Sequence, residues 1–424
     1  MTTGEVRLDE RPGRLAESMS WTELGNGVQV MSEHIPGVRS AAVGVWVRQG
    51  SAHEPEADAG MSHMLEHMVF KGTERRTAAE IAVALEGLGG SLDAYTSREH
   101  TSYQARVLDE HLPEALDVLA DLVLAPRLEA SDLALEHEVV LEEIAQVEDT
   151  PDDLVFELHS ERLWRGHPYG RSILGTKESV SAMTADRLRD LHGGRYVGAN
   201  FVVAGAGNLE HEDFARRVGE LFGGVRTGAG RGSVEAPVFT GSGIEQSRRD
   251  SAQTHIVFGT DVPGHSHPDR YALVLVSSAL GAGMSSRLFQ RVREELALCY
   301  SIYTYQSFYS RSGVTGVYVG TRPATATTAA AAVREELTKV AAKALPEAEL
   351  EQVKRQLKGQ IVLSLESSGA RLHRLASFAL HEEPVISLSE LLAKIDAVSL
   401  DDVTRVAGEY FEPVRQLELR LGPE

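Results

Sequence analysis

Residues 60–73 read GMSHMLEHMVFKGT, and within this stretch His63, Glu66 and His67 follow one another at helical spacing. In an α-helix, positions i, i+3 and i+4 lie on one face, so two imidazoles can reach a single ion with a carboxylate beside them. Zn²⁺ accepts imidazole nitrogens, and a catalytic zinc takes three protein ligands and a water. The stretch therefore predicts a zinc site in which Glu66 removes a proton from the attacking water.

The search for a third ligand leads to the segment 129–148. A His-x-x-Glu-His match arises by chance in about one in twenty sequences of this histidine content, so further support is needed. Apolar residues recur at helical spacing through 129–148 and predict an amphipathic helix. Glu136 and Glu143 lie on its apolar side, two turns apart, whereas Glu142 points to solvent. A carboxylate on a buried face needs a cation, so either of the first two would ligate the metal or pair with Arg or Lys, unless the edge of the apolar stripe is exposed enough to keep it hydrated.

The composition narrows the class of protein. With 424 residues, of which 42% are hydrophobic and 25% charged, we expect a soluble globular chain of two domains. The net charge of −20 argues against nucleic-acid binding, because phosphate contacts need clustered Lys and Arg. Cys299 is the one cysteine in the sequence, so an intrachain disulfide cannot form. The charged N-terminus has no secretory signal and no long apolar run follows, which predicts a cytoplasmic protein without a membrane span.

A segment rich in Gly, Ser and Pro divides the chain into halves of similar length. In each half, predicted strand pairs precede runs of predicted helix. We therefore expect an α+β fold with two similar domains, each a mostly antiparallel β-sheet packed with helices. The predicted divisions are a flexible tail at residues 1–20, a zinc-bearing domain at 21–222, a linker at 223–243 and a second domain at 244–424.

The motifs together resemble a known family. The His-x-x-Glu-His stretch followed by Glu143 is similar to the inverted signature of the pitrilysin/insulinase zinc peptidases. GGSLDAYTSREHTSY (89–103), EHEVVLEEI (136–144) and HPYGRSILGT (167–176) stand in the order that this family shows. The branch most resembled contains the β subunit of the mitochondrial processing peptidase and its bacterial relatives. The fold implied is half of that family's closed clamshell.

The resemblance also implies a role for each residue of the metal set. His63, His67 and Glu143 would hold one zinc ion per chain. Glu66 would be the general base. Glu136 would be a second acidic residue that supports catalysis near the metal.

A substrate-binding strand follows from the same resemblance. Asp93, Ala94, Tyr95 and Thr96 would lie at a sheet edge beside the metal and pair with an extended peptide. The family usually has Asn at the position of Asp93, and the change keeps the acceptor but loses the donor. Without the resemblance, an ordinary hairpin strand is the simpler interpretation.

The second half contributes Arg293 and Tyr300. From the residues alone, a surface Arg and a core Tyr are expected. The resemblance implies instead that they hold the substrate and hydrogen-bond its scissile carbonyl as negative charge develops. Because the chain forms half of the clamshell, the implied assembly is a homodimer in which this pair reaches the zinc of the other subunit. A heterodimer with a related chain is the alternative.

The predicted function is a zinc endopeptidase that hydrolyses unfolded or short peptides in a closed chamber. Residues 129–161 contain twelve acidic side chains and no Lys or Arg, so basic peptides would be favoured if this segment lines the chamber. A solvated helix face is the other interpretation of that segment. The alternative function is a non-catalytic scaffold or assembly subunit on the same fold, and the intact metal set argues against it. A zinc hydrolase of non-peptide amides is a third candidate, which the substrate strand and the Arg–Tyr pair disfavour.

Overall fold

The computed structural model describes residues 2–7, 18–87, 89–230, 232–239, 241–343 and 345–423. These residues fall into two compact units. The first is drawn from Met1–Ile144, Ser172–Val234 and Leu363–Leu388, and the second from Ala145–Arg171, Glu235–Val362 and Ser389–Glu424. Each unit contains one β-sheet with helices packed against it, which confirms the predicted α+β fold.

The strands and helices of both units come in runs along the chain rather than in strict alternation. The described strands are β1 (Thr2–Arg7), β2 (Ser18–Glu23), β3 (Gln29–His34), β4 (Ser40–Val47), β5 (Ser91–Thr96), β6 (Thr101–Leu108), β7 (Phe201–Gly207), β8 (Gly243–Arg248), β9 (Thr254–Val262), β10 (Cys299–Phe308), β11 (Gly313–Thr321) and β12 (Leu417–Gly422). The described α-helices are α1 (Met61–Val69), α2 (Ala78–Glu86), α3 (Leu112–Leu124), α4 (Ala130–Asp149), α5 (Pro151–Leu163), α6 (Lys177–Ser181), α7 (Ala185–Arg195), α8 (His211–Phe222), α9 (Arg270–Gly281), α10 (Ala326–Lys343), α11 (Glu347–Ser364), α12 (Ser368–Leu380), α13 (Leu388–Asp396) and α14 (Leu400–Tyr410).

The sheet of the first unit has the strand order β1-β2-β3-β7-β4-β6-β5. All neighbouring strands are antiparallel except β3 and β7, which are parallel. The central strand β4 is covered on both faces: Val43 and Val45 pack with residues of α1 and α3, while Ala42 and Trp46 pack with residues of α12. A strand buried on both faces reads as a continuous apolar run, as SAAVGVWV does.

The sheet of the second unit repeats the topology of the first. Its order is β10-β11-β9-β12-β8, and β8 and β12 are parallel while the other neighbours are antiparallel. This arrangement corresponds strand for strand to β5-β6-β4-β7-β3 in the first unit. The prediction of two similar domains with mostly antiparallel sheets is therefore confirmed. In the second unit, the helix that follows β9 is α9, whose sequence RYALVLVSSALG carries no His or Glu for a metal.

The compact units differ from the continuous halves 21–222 and 244–424, because two helices pack on the sheet of the opposite half of the sequence. Helix α5 covers β9 and β12, where Val155 contacts the apolar residues of these strands. Helix α12 covers β3, β4 and β7, with Leu375 fully buried against them. Each helix buries its apolar stripe on the sheet that offers an uncovered apolar face.

The predicted tail and linker have these placements. Within 1–20, residues 2–7 form β1, while residues 1 and 8–17 lie outside the described part of the chain. Within 223–243, the described residues ahead of β8 form neither a helix nor a strand, and residues 231 and 240 lie outside the described part.

Candidate metal centre and active site

Helix α1 carries the His-x-x-Glu-His residues on its polar face. Its opposite face buries an apolar set in the core of the first unit, namely Met61, Met64, Leu65, Met68 and Val69. Gly60 precedes the helix with φ 90°, and a Cβ there would lie 2.4 Å from the Leu174 carbonyl oxygen, so glycine is required. The buried carboxylate of Glu54 accepts hydrogen bonds from the Gly60 and Ser62 amides at 2.8 and 2.5 Å and so caps the helix N-terminus.

Three ligand atoms converge at this face. His63 Nε2 lies 3.6 Å from Glu143 Oε2, and His67 Nε2 lies 3.7 Å from Glu143 Oε1. The three ligand atoms of the set lie within 4.8 Å of one another. Ligands of a tetrahedral zinc with bonds of about 2.1 Å are about 3.4 Å apart, so small side-chain adjustments bring this set to the distances that zinc requires. Two imidazoles and one carboxylate are also a donor set found at catalytic zinc, and the residues present fit the ion.

Burial affects the charge of the first ligand. Burial and, to a smaller extent, the neighbouring His67 together lower the pKa of His63 to about 4. His63 is therefore neutral at neutral pH, as a metal-ligating imidazole must be.

Glu136 lies behind the metal set rather than in it. Its Oε2 accepts a hydrogen bond from His67 Nδ1 at 2.9 Å, and its Oε1 lies 2.5 Å from Lys71 Nζ. Burial alone would raise the pKa of Glu136, but the hydrogen bonds from Lys71 and His67 outweigh it and hold the pKa below its ordinary value. Helical phase alone left both Glu136 and Glu143 as candidates for the metal, and the family resemblance implied Glu143; the structure gives the two carboxylates different neighbours. Lys71 has no motif that singles it out in the sequence.

Glu66 is oriented by the neighbouring strand β5. Thr96 Oγ1 donates a hydrogen bond of 2.6 Å to Glu66 Oε2. Burial raises the pKa of Glu66, and this hydrogen bond acts in the opposite direction because it favours the ionised carboxylate. The Glu66 carboxylate is close enough to His67 and Glu143 for both to influence its pKa, so it lies beside the metal set without belonging to it.

The predicted substrate strand is β5, which lies at the end of its sheet. Among the described residues it pairs with β6 alone. Because side chains alternate along a strand, Ala94 shares the face of Thr96, while Asp93 and Tyr95 occupy the other face. The Tyr95 ring stacks on His373 of α12 with a centroid distance of 6.3 Å. The four predicted residues therefore divide between a face toward α1 and a face toward α12.

A cavity of about 640 Å³ opens next to Glu66 and His67. Its lining mixes charged residues with apolar side chains from Phe70, α2 and β5. The residues that line it are Glu66, His67, Phe70, Lys71, Ala78, Ile81, Ala82, Glu86, Gly90, Ser91, Leu92, Asp93, Ala94 and Glu136.

Arg293 and Tyr300 are brought together in the second unit. The Arg293 guanidinium lies 4.8 Å from the Tyr300 ring centroid and 4.6 Å from that of Phe289. Residues Phe289–Glu295, which precede Tyr300, form a π-helix. The Leu296 amide donates a hydrogen bond to the Arg291 carbonyl, five residues earlier, which gives a wider turn than that of an α-helix. Hydrophobic periodicity in the sequence cannot reveal this local feature. Tyr300 is 79% exposed, so the residues-alone expectation of a core tyrosine is wrong.

None of the helices in the described part of the chain combines the length and the apolar composition that a membrane span requires.

Comparison with known proteins adds to this geometry. Residues 29–177 match the insulinase family (peptidase family M16), and residues 182–357 match the peptidase M16 inactive domain. A Mycobacterium leprae protein named as an uncharacterized zinc protease is 41% identical over 410 residues, which cover 95% of this chain and 91% of that protein. A Bacillus subtilis protein also named as an uncharacterized zinc protease is 37% identical over 386 residues, 91% of this chain and 94% of that protein.

Solved structures show the same fold. A peptidase M16 inactive-domain protein from Pseudomonas fluorescens has a TM-score of 0.90 at 20% identity and covers 96% of this chain and 98% of its own. A protease from Helicobacter pylori has a TM-score of 0.88 at 23% identity, with 96% and 100% covered. The resemblance of the motifs is thus confirmed by sequence relatives that extend over nearly the whole chain. The protein belongs to the insulinase family of zinc peptidases, peptidase family M16.

Proposed function

We propose that this chain is a zinc-dependent endopeptidase that hydrolyses unfolded or short peptides, with Glu66 as the general base. The observation that carries the proposal is the group of His63, His67 and Glu143 with the separate carboxylate of Glu66 beside it. When bound, zinc would act as a Lewis acid that lowers the pKa of the attacking water. One zinc ion per chain is proposed, held by these three residues.

The roles of the protein groups follow from their contacts. Glu66 would accept the proton of the water, and the Thr96 hydroxyl at 2.6 Å holds one of its oxygens so that the other can face the water. Glu136 supports catalysis by accepting the Nδ1 hydrogen of His67, which leaves His67 Nε2 as the ligand atom.

We further propose that β5 binds the substrate. An edge strand offers unpaired backbone groups, so an extended peptide can add to it beside Glu66 through main-chain hydrogen bonds. Asp93, Ala94, Tyr95 and Thr96 would make these contacts, and the 640 Å³ cavity would receive a side chain next to the scissile bond. Main-chain pairing explains how one strand would accept many sequences.

Completion of the site is proposed to require a second subunit. The exposed Tyr300, stacked with Arg293, would bind the scissile carbonyl in the closed chamber of a homodimer. The acidic segment 129–161 supports a preference for basic peptides. A cytoplasmic location is proposed as well, since a single cysteine suits a reducing compartment.

Incubation with a mixture of unstructured peptides tests the enzymatic proposal. Mass spectrometry should find internal cleavages that a chelator abolishes and added zinc restores, and Glu66→Gln should show none of them. Cleavage that persists in chelator, or removal of terminal residues only, would contradict an endopeptidase dependent on zinc.

Mixing of inactive variants tests the dimer. Glu66→Gln and Tyr300→Phe subunits should recover part of the activity, because one composite site of the mixed dimer carries neither change. The control mixture of Glu66→Gln with His63→Ala leaves no intact site and should stay inactive. Equal activities of the two mixtures, after demonstrated subunit exchange, would exclude a shared site.

A further inference from the structure

The buried carboxylate of Glu136 bridges two cationic or hydrogen-donating side chains. Lys71 Nζ lies 2.5 Å from Oε1, and His67 Nδ1 lies 2.9 Å from Oε2. The Glu136 side chain is 4% exposed, whereas that of Lys71 is 37% exposed. We propose that Lys71 is a positioning residue of the zinc site, which acts through Glu136 to fix the orientation of His67.

The chemical reason lies in the two nitrogens of a neutral imidazole. One nitrogen carries the hydrogen, and only the other has a lone pair for a metal. An acceptor at Nδ1 makes Nε2 the ligand atom, and His67 Nε2 is the nitrogen that faces Glu143 at 3.7 Å. Glu136 can fill this role only if its charge, which is held away from water, has a compensating cation. Lys71 supplies that cation at the second oxygen.

The backbone at Lys71 is held independently of its side chain. Its amide donates to the Met68 carbonyl at 3.2 Å, which extends the last turn of α1, so that Lys71 follows His67 by four positions on one face. The loop that follows is held by a hydrogen bond of 2.7 Å, which Thr73 Oγ1 donates to Asp121 Oδ2. Replacing the Lys71 side chain therefore leaves the anchors of the loop in place.

Zinc affinity, measured by competition with a chromophoric chelator, tests this inference, which rests on the zinc site of the proposed function. Lys71→Met should weaken zinc binding by about 10-fold, the lower end of the effect of removing the outer partner of a ligating histidine, because Lys71 acts on His67 only through Glu136. Lys71→Arg keeps the cation and should restore most of the affinity. Arg75→Met is the matched control: it removes a cation from the same loop, but Arg75 pairs with Asp117 and should leave zinc affinity unchanged.

A double variant shows whether Lys71 acts through the carboxylate. In Glu136→Gln the buried group is neutral and needs no counter-ion, so adding Lys71→Met should weaken zinc binding no further. Urea unfolding of the metal-free proteins shows whether Lys71→Met folds. If it does not, the comparison of Glu136→Gln with the double variant still tests whether Lys71 acts through the carboxylate. The absorption spectrum of bound Co²⁺ should change in Lys71→Met and return in Lys71→Arg, because it reports the geometry of the ligands.

The outcomes separate this inference from the proposed function. Wild-type protein that binds no zinc would overturn both. Two results would overturn the role of Lys71 alone. One is that the wild type and Lys71→Met bind zinc with equal affinity. The other is that Lys71→Met weakens zinc binding as much in the Glu136→Gln background as in the wild type.

Discussion

The buried His159 gives the second unit a defined dependence on pH. It lies on α5 with 1% of its surface exposed, and its Nε2–H donates to the Leu417 carbonyl at 3.2 Å. Burial lowers its pKa to about 4 from the ordinary value of 6.5. The folded protein therefore holds His159 neutral where the unfolded chain binds a proton.

The sign and size of the effect follow from this difference in pKa. A group whose pKa is lower in the folded state contributes its full stability above the unfolded value of 6.5, and this contribution is lost as the pH falls toward 4. The limiting loss is about 3 kcal/mol, since each unit of pKa corresponds to about 1.4 kcal/mol. Between about pH 7.5 and pH 5, the loss from His159 is about 2 kcal/mol.

Urea unfolding of the wild type and His159→Gln at both pH values measures this contribution. Glutamine keeps an N–H that can donate to the Leu417 carbonyl but does not titrate, so the free energy of unfolding of the variant should fall by about 2 kcal/mol less than that of the wild type. Other titrating groups contribute to both proteins and cancel in the comparison. A difference between the two proteins that stays constant with pH would refute the reasoning.

Further predictions concern packing and the general base. Gly259→Ala should lower the free energy of unfolding by about 1–3 kcal/mol, because its Cβ would lie 2.5 Å from His159 Cε1. Gly359 lies in the exposed middle of α11, and its Cβ would meet nothing within 4 Å. Gly359→Ala should therefore raise the free energy of unfolding by about 0.5–1 kcal/mol. Chemical denaturation measures the free energy of unfolding of both variants, and an equal decrease in the two would contradict the packing argument. Thr96→Val removes the hydroxyl that contacts Glu66 and should lower kcat of peptide cleavage by about tenfold, with unchanged zinc content and recovery in Thr96→Ser. Steady-state kinetics and metal analysis test this, and a wild-type kcat in Thr96→Val would contradict the role of the hydroxyl.

Periodicity predicted the elements that carry the metal set. The i, i+3, i+4 spacing of His63, Glu66 and His67 and the apolar stripe of 129–148 correspond to α1 and α4. These features are local, since a helix places side chains by sequence separation alone. The same reasoning narrowed the acidic candidates to the buried side of α4, where Val140 is fully buried.

Contacts between elements distant in sequence could not be predicted in this way. Which of Glu136 and Glu143 is the metal ligand depends on which turn of α4 faces α1. The contact between Lys71 and Glu136 depends on the same packing of α4 against α1. The packing of α5 and α12 against the sheets of the opposite halves of the sequence depends on which sheet face remains uncovered. Pairwise packing of this kind leaves no periodic pattern in the chain.

The central claim is that Glu143 is a zinc ligand and Glu66 the general base. It is tested most directly by measuring zinc content and peptide cleavage on the same preparations of wild type, Glu66→Gln and Glu143→Gln. The wild type should bind zinc and cleave. Glu66→Gln should bind zinc as the wild type does and cleave no peptide, because it keeps the ligands and lacks the base, while Glu143→Gln should lose most of its zinc. Full cleavage by Glu66→Gln, or unchanged zinc in Glu143→Gln, would contradict the assignment of base and ligand.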